Sequence, residues 1–126
     1  MTLAVEFLDM AYVLIVDSQA EFRQQLVRRL EEAGHRATAV GTTIEAARLV
    51  QDDVPDLFAT DAVLIDGSST NLANQAEAAG AKILMLTGSA DRIVEFDGTG
   101  QPYLSKPFTP DAFLQRVRDI LGESDG

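Results

Sequence analysis

The sequence contains no cysteine, only one histidine and only two lysines. Without cysteine, the chain can form neither disulfides nor thiolate zinc sites, and it has no cysteine nucleophile. The single histidine, His35, has no partner in the sequence pattern, so we expect an exposed turn residue rather than a catalytic or metal-binding one. Basic residues are scarce as well. The net charge of −10 disfavours binding to nucleic acid by phosphate neutralisation.

Long apolar runs are also missing. None could cross a membrane, and residues 1–10 lack the basic start and small-residue cleavage site of a signal peptide. We therefore expect a cytoplasmic protein without a membrane partner. The 126 residues suit one domain with a real core. We expect this domain over residues 11–123, after an extension of unassigned role over residues 1–10 and before a frayed tail over residues 124–126.

Short apolar runs alternate with helical patterns along the chain. Five runs are predicted to be strands, namely residues 12–16, 37–40, 62–65, 82–86 and 103–105. Continuous apolar runs bounded by turn residues are typical of strands buried on both faces of a parallel sheet. Because strand and helix alternate five times, the order predicts an α/β fold, a doubly wound five-stranded parallel sheet with helices on both faces.

Capping residues mark the expected helix starts. Ser18 is expected to cap the first helix, Thr42 or Thr43 the second, and Thr109 the last. The fourth helix is expected to be only one or two turns over residues 91–96, because the segment Asp97-Gly-Thr-Gly100 that follows makes a longer helix improbable.

One stretch stays ambiguous. Leu57 and Phe58 lie between the second helix and the predicted third strand, where they either extend the helix or pack their side chains within a loop that plugs the space before the strand.

Four polar side chains follow four predicted strands: Asp17, Asp66, Thr87 and Lys106. The carboxyl ends of parallel strands share one edge of the sheet, and ligands gather there. Two carboxylates at that edge repel each other, so a hard divalent ion such as Mg²⁺ is the natural candidate to lie between them. A lysine and a hydroxyl suit the oxygens of a phosphoryl group. Asp66 would then be a nucleophile that forms an acyl phosphate.

This arrangement resembles the receiver domain of bacterial two-component response regulators. The matching segments are VLIVDSQAEFRQQLVRRLEEAGH, DAVLID, KILMLTG and YLSKPF, spread over residues 12–121. The resemblance implies a flavodoxin-like fold with strand order 2-1-3-4-5. It also implies phosphorelay signal transduction, in which Asp66 accepts a phosphoryl group from a histidine kinase or a histidine phosphotransfer protein.

The resemblance also implies the roles of individual residues. Asp17, Asp66 and the backbone carbonyl of Ser68 would hold Mg²⁺. Thr87 and Lys106 would bind phosphoryl oxygens.

Further implied features concern switching and phosphoryl lifetime. Tyr103 would be the switch aromatic, whose rotamer follows the position of Thr87. The Lys106–Pro107 peptide bond is usually cis in this family, although cis is otherwise the minority form. Ser68 and Ser89 fall where the family tunes the lifetime of its acyl phosphate.

The sequence departs from the family pattern in three places. Ser18 replaces the second of two adjacent acids, so we expect weak Mg²⁺ binding. Asp66 and Thr87 are only 21 positions apart (87 − 66), and Thr87 and Lys106 only 19 (106 − 87). Both intervals are short for the family, so we expect shortened third and fourth helices. The second interval contains the family's output face.

Three functions stay open. The preferred one is a single-domain response regulator that signals through contacts with a downstream protein, since the chain carries no output domain. The alternative is a degenerate receiver, an interaction module that does not depend on phosphorylation, which Ser18 and the shortened loop motivate.

An enzyme on a similar sheet is the third hypothesis. An aspartyl-phosphate phosphatase would need an acid at Gln19, no Gly-rich phosphate loop follows the first strand, and a flavin site has no positive feature. Receiver domains only assist their own phosphorylation and dephosphorylation, so we do not expect an enzyme.

Overall fold

The computed structural model describes residues 10–64 and 67–122. Three sequence-based predictions therefore lie outside the described residues: the extension before residue 10, the tail over residues 124–126, and the acceptor role of Asp66. No helix in the described part of the chain is both long enough and apolar enough to cross a membrane.

The described residues form seven strands and five helices. The strands are β1 (Tyr12–Val16), β2 (Arg36–Val40), β3 (Leu57–Asp61), β4 (Val63–Leu64), β5 (Gly67–Ser68), β6 (Lys82–Thr87) and β7 (Tyr103–Ser105). The helices are α1 (Ala20–Glu32), α2 (Thr43–Asp52), α3 (Thr70–Ala78), α4 (Ala90–Thr99) and α5 (Pro110–Leu121).

Five strands form one parallel sheet in the order β2-β1-β3-β6-β7. Counted along the chain within this sheet, the order is 2-1-3-4-5, so the predicted flavodoxin-like topology is confirmed. All the carboxyl ends of these strands lie at one edge, because every neighbouring pair in the sheet is parallel.

The core lies on both faces of this sheet. In β1, Leu14 and Val16 pack with α2, α3 and α4, whereas Val13 and Ile15 pack with α1 and α5. All four side chains are fully buried. The unbroken apolar run of β1 is thus explained by burial on both faces, as expected of a parallel strand between helical layers.

The third strand was predicted wrongly. Strand β3 is Leu57–Asp61, not residues 62–65, and Leu57 and Phe58 neither extend α2 nor plug a loop. They are fully buried in the sheet. The register explains the error: β3 pairs with β1 from Leu57 to Thr60, opposite the last four residues of β1. Thr60 already pairs with Val16, the last residue of β1, so a strand starting at residue 62 would have no residue of β1 to pair with. The chain instead leaves the sheet, and β4 pairs antiparallel with β5.

Helix α4 is longer than the one or two turns predicted. It spans Ala90–Thr99, passes through Gly98 and ends at Gly100, which has a φ of +78°. A glycine inside a helix costs about 1 kcal/mol relative to alanine. Here the Ser89 side chain caps the first turn and Phe96 is buried against the sheet, so tertiary packing outweighs the local propensity.

Two predictions about turn residues are also wrong. His35 is buried rather than exposed, and its Nδ1 accepts a hydrogen bond from the N–H of Ala11 at 3.2 Å. Ser18 does not cap α1, because the helix begins one residue later with Gln19 at the N-cap. The Asp17 carboxylate accepts the loop hydrogen bond instead, from the N–H of Gln19 at 2.9 Å.

Other local predictions are confirmed. Thr42 and Thr109 cap α2 and α5, each by accepting an N–H three residues further along the chain. The Lys106–Pro107 peptide bond is cis.

Candidate functional site

Four polar residues meet at the carboxyl edge of the sheet. Asp17 follows β1, Asp61 ends β3, Thr87 ends β6 and Lys106 follows β7. The Lys106 Nζ lies 2.7 Å from Asp17 Oδ2 and 3.0 Å from Asp61 Oδ2. One ammonium therefore joins two carboxylates that are 44 positions apart in sequence (61 − 17).

Three of the four predicted site residues lie at this edge, but the acid of the third strand is Asp61. The prediction of Asp66 depended on residues 62–65 being the third strand of the parallel sheet, and that strand is Leu57–Asp61 instead. The spacing in the sequence carried a signal of this error. Asp66 lies unusually close to Thr87, whereas Asp61 is 26 positions before it (87 − 61).

The two carboxylates differ in exposure. The Asp17 side chain is fully buried, whereas that of Asp61 is 18% exposed. Backbone contacts fix both residues: the Asp17 N–H donates to the carbonyl of Val40, and the Ser69 hydroxyl donates to the carbonyl of Asp61 at 2.8 Å. Asp61 is thus the carboxylate that a reagent from solvent can reach, while the buried carboxylate of Asp17 accepts a hydrogen bond from the ammonium of Lys106.

Lys106 remains charged in this setting. Partial burial lowers its pKa, but the hydrogen bonds and the negative charges of Asp17 and Asp61 outweigh burial, so the pKa is raised above its ordinary value. The backbone holds the residue in place, because the Lys106 N–H donates to the carbonyl of Thr87 at 2.8 Å. A fixed ammonium between two acids is suited to bind an oxyanion that one of them carries.

Thr87 and Ser89 form the start of the loop after β6. Thr87 is buried, and its hydroxyl oxygen accepts the N–H of Ser89 at 3.0 Å. The Ser89 hydroxyl is in turn engaged, because it caps α4 by accepting the N–H of Arg92. The hydroxyl of Thr87 is therefore linked through Ser89 to the start of α4.

The donor set suits a weakly held Mg²⁺. Within residues 10–64 and 67–122, no group of three or more acidic or histidine side chains could hold a metal ion. The carboxylates of Asp17 and Asp61 do converge on the ammonium of Lys106. Mg²⁺ is commonly bound by one or two carboxylates, with water molecules completing its octahedral coordination. Asp17 and Asp61 are the residues that would hold it. Ser18, in place of the second acid, is exposed.

Tyr103, the predicted switch residue, is turned toward α4. Its hydroxyl donates to Asp97 Oδ1 at 2.9 Å, and its ring lies 6.0 Å from that of Phe96. The hydrogen bond to Asp97 raises the pKa of the Tyr103 phenol, and burial and the negative charge of Asp97 act in the same direction. The bond's contribution to stability is present at neutral pH and is lost as the pH rises through this pKa.

The Tyr103–Asp97 bond can be tested by titration. In a Tyr12→Phe background, which leaves Tyr103 as the only tyrosine, Asp97→Asn is expected to lower the pKa read from phenolate absorbance. Asp91→Asn makes the same change of charge in the first turn of α4 and should have little effect. An unchanged titration in the Asp97 variant would show that the bond does not form in solution.

The fold and the site together define a class of protein. A family model of the response regulator receiver domain matches residues 13–118. The chain therefore belongs to the response regulator receiver domain family and serves two-component signalling. Receiver domains generally bind Mg²⁺ at the phosphorylation site, and they interact with histidine kinases and downstream targets.

Individual relatives and structures agree with this assignment. The chain is 28% identical over 116 residues to the phosphate regulon transcriptional regulatory protein PhoB of Pseudomonas aeruginosa, covering 86% of this chain and 51% of that protein. It is 31% identical over 123 residues to the DNA-binding dual master transcriptional regulator RpaA of Synechocystis, covering 92% and 51%. The chain thus spans about half the length of the curated relatives it matches.

Solved structures match over nearly their whole length. A CheY-like receiver domain protein from Methanospirillum hungatei superposes with a TM-score of 0.79 at 26% identity, covering 92% of this chain and 97% of that one. The chemotaxis response regulator CheY4 of Vibrio cholerae gives a TM-score of 0.77 at 25% identity, covering 88% and 98%.

Proposed function

We propose that this receiver domain accepts a phosphoryl group on Asp61, from a histidine kinase or a histidine phosphotransfer protein. The observation that carries the proposal is the contact of Lys106 with both Asp61 and the fully buried Asp17. Asp61 is the more exposed of the two acids and ends the central strand. The acceptor role that the sequence assigned to Asp66 is thereby transferred to Asp61.

The chemistry follows from this arrangement. A carboxylate oxygen of Asp61 attacks the phosphorus of phosphohistidine or of a small acyl phosphate. The bond from phosphorus to the leaving nitrogen or oxygen breaks, and the leaving group keeps the electron pair. Lys106 then forms a charge-assisted hydrogen bond with a phosphoryl oxygen, and the Thr87 hydroxyl is the second donor at this edge.

Mg²⁺ would be held by Asp17 and Asp61, and when bound it offsets the negative charge of the carboxylates and the phosphoryl oxygens. The predicted third ligand was the carbonyl of Ser68, two residues after Asp66. The same offset from Asp61 gives the carbonyl of Val63, which we include in the proposal in place of Ser68.

The output is proposed to be a protein contact. The hydrogen bond between Thr87 and Ser89 connects the site to α4, and Tyr103 connects β7 to the same helix. These contacts support a face formed by α4 and β7 as the surface that responds. The net charge of −10 favours a protein partner over nucleic acid for this domain.

A degenerate receiver is the second candidate, favoured by Ser18 alone. It keeps the fold but takes up no phosphoryl group. The pairing of Lys106 with two acids argues against it, because an interaction module would not need a charged cluster at this edge.

Chemical mapping tests the proposal directly. Incubation with acetyl phosphate and Mg²⁺ is expected to add one phosphoryl group, seen by intact mass. Reduction with borohydride converts an aspartyl phosphate to homoserine, which peptide sequencing should place at position 61. Homoserine at position 66 would refute the assignment to Asp61, and no phosphoryl uptake from acetyl phosphate or a cognate kinase would favour the degenerate receiver.

A further inference from the structure

A groove runs along the edge of the sheet that is farthest from β7. Strand β2 ends the order β2-β1-β3-β6-β7 and, within the described part of the chain, pairs only with β1. A cleft of about 490 Å³ lies between this strand and α1. Ala37 and Ala39 line it from β2, and Arg23, Arg28 and Glu31 line it from α1. We call this cleft the β2 groove.

The outer side of β2 carries backbone groups that pair with no described residue. The N–H of Arg36 donates to β1 at the carbonyl of Ala11, and the carbonyl of Val40 also faces β1, where it accepts a hydrogen bond. Backbone groups alternate sides along a strand, so those of Ala37 and Ala39 point to the open edge. An unpaired edge of this kind is a template on which an extended peptide can add a strand.

The charges along the β2 groove are opposite in sign to that of the whole chain, which is −10. Neither Arg23 nor Arg28 forms an ion pair with a described carboxylate. Arg23 donates to a backbone carbonyl, that of Asp17, and Arg28 is exposed. Glu31 is the one acid among the described residues that line the groove. The groove therefore favours an anionic occupant.

The spacing of the two arginines indicates which anion would fit. They are five positions apart (28 − 23), which in α1 is a rise of about 7.5 Å along the axis. Alternate residues of a strand point to the same face and lie about 6.8 Å apart. Ala37 and Ala39 direct their small side chains to the α1 face of the sheet, so they leave room there for longer side chains of a neighbouring strand. Two acids separated by one residue match this arrangement.

We propose that the edge of β2 binds an extended acidic segment of a partner protein. The segment adds a sixth strand to the sheet, and its alternate acids lie against Arg23 and Arg28. This surface is separate from the face formed by α4 and β7, and the inference does not depend on which aspartate accepts the phosphoryl group.

A second copy of this chain fits the edge poorly. Pairing of two β2 edges about a two-fold axis would place both α1 helices on the same face of the joined sheet. The arginines of one copy would then approach those of the other, and such like charges oppose association.

A synthetic peptide provides the test. The probe has the sequence TVDVDVT with blocked ends, so its two aspartates share one face of a strand and its three valines share the other. The unphosphorylated full chain is titrated with this peptide and followed by amide NMR. We expect the signals of Ala37 and Ala39 to shift and to exchange more slowly with solvent, while those of β7 stay unchanged. A peptide with asparagine in place of both aspartates should bind about fivefold more weakly.

Two variants of the protein form a matched pair. Arg28→Gln is expected to weaken binding of the aspartate peptide about threefold, because one charge pair at the surface is lost. Arg48→Gln removes the same charge from an exposed position on α2, which packs on the opposite face of the sheet, and should leave the affinity unchanged. Thermal unfolding of both variants shows whether the fold persists.

Several results would overturn the inference. They are unchanged β2 signals at about 1 mM peptide, equal affinities for the aspartate and asparagine peptides, and equal effects of Arg28→Gln and Arg48→Gln. Tighter binding of a short single-stranded DNA to the same signals, or a dimer that forms through β2, would do so as well. The proposed function is judged separately, because loss of phosphoryl uptake on Asp61→Asn does not depend on what β2 binds.

Discussion

Asp61→Asn is expected to abolish phosphoryl uptake from acetyl phosphate, with the initial rate falling by at least about 100-fold. The reason is chemical, because an amide oxygen is a far weaker nucleophile than a carboxylate. Asp66→Asn is expected to keep a rate within about twofold of the wild type, since Asp61 supplies the nucleophile. Incorporation of labelled phosphate in the presence of Mg²⁺, followed over time, measures both.

The two variants form a matched pair. Each replaces one carboxylate by an amide of the same shape, and each changes the net charge from −10 by the same single unit. Thermal unfolding of both proteins shows whether the fold persists. If Asp66→Asn loses uptake while Asp61→Asn retains it, the acceptor is Asp66 and our reassignment is wrong.

The topology and three of the four site residues could be predicted because short-range patterns determine them. The segments VLIV of β1 and ILML of β6 are apolar throughout and are each followed by a polar residue, so both strand ends could be located. Lys106 is one of only two lysines and precedes a proline after a short strand. In a parallel sheet, strand ends meet at one edge whatever the loops between them, so the meeting of Asp17, Thr87 and Lys106 followed.

The acceptor strand could not be predicted from its own residues. LFAT and AVLI are both four-residue runs, each followed by an aspartate, and local propensity does not separate them. Their difference is tertiary: among the described residues of the two runs, residues 57–60 pair with both β1 and β6, and Asp61 pairs with β6. The short interval between Asp66 and Thr87 is the available signal in the sequence, and it fits a shortened helix as well as it fits a strand placed too late in the chain.

Local patterns failed at His35 and Gly98 for a similar reason. A lone histidine beside a glycine is typical of an exposed turn, but His35 is buried and accepts a hydrogen bond from the Ala11 N–H. Gly98 disfavours a helix by its own propensity, yet α4 continues through it. In both cases, tertiary contacts outweighed the local preference, which for a glycine inside a helix is about 1 kcal/mol.

Phe58→Ala is the sharpest test of the corrected strand. Phe58 is fully buried in β3, opposite Leu14 of β1 and Ile83 of β6. Removing a fully buried aromatic ring loses its transfer free energy and leaves a cavity, so we expect a loss of about 3–5 kcal/mol in the free energy of unfolding. The total free energy of unfolding of a small domain is only about 5–15 kcal/mol. Chemical denaturation followed by far-ultraviolet circular dichroism measures the loss.

Val94→Ala is the control, because Val94 lies on α4 with 72% of its surface exposed. Its effect should stay within about 0.5 kcal/mol, as for most surface substitutions. One sequence-based alternative places Phe58 in a surface loop. A loop can relax after its aromatic side chain is truncated, so the loss of stability would then be small. A Phe58→Ala loss below about 1 kcal/mol would therefore restore that alternative and, with it, the case for Asp66 at the end of the central strand. A loss near the expected value would leave Asp61 as the acid that the sheet itself holds against Lys106.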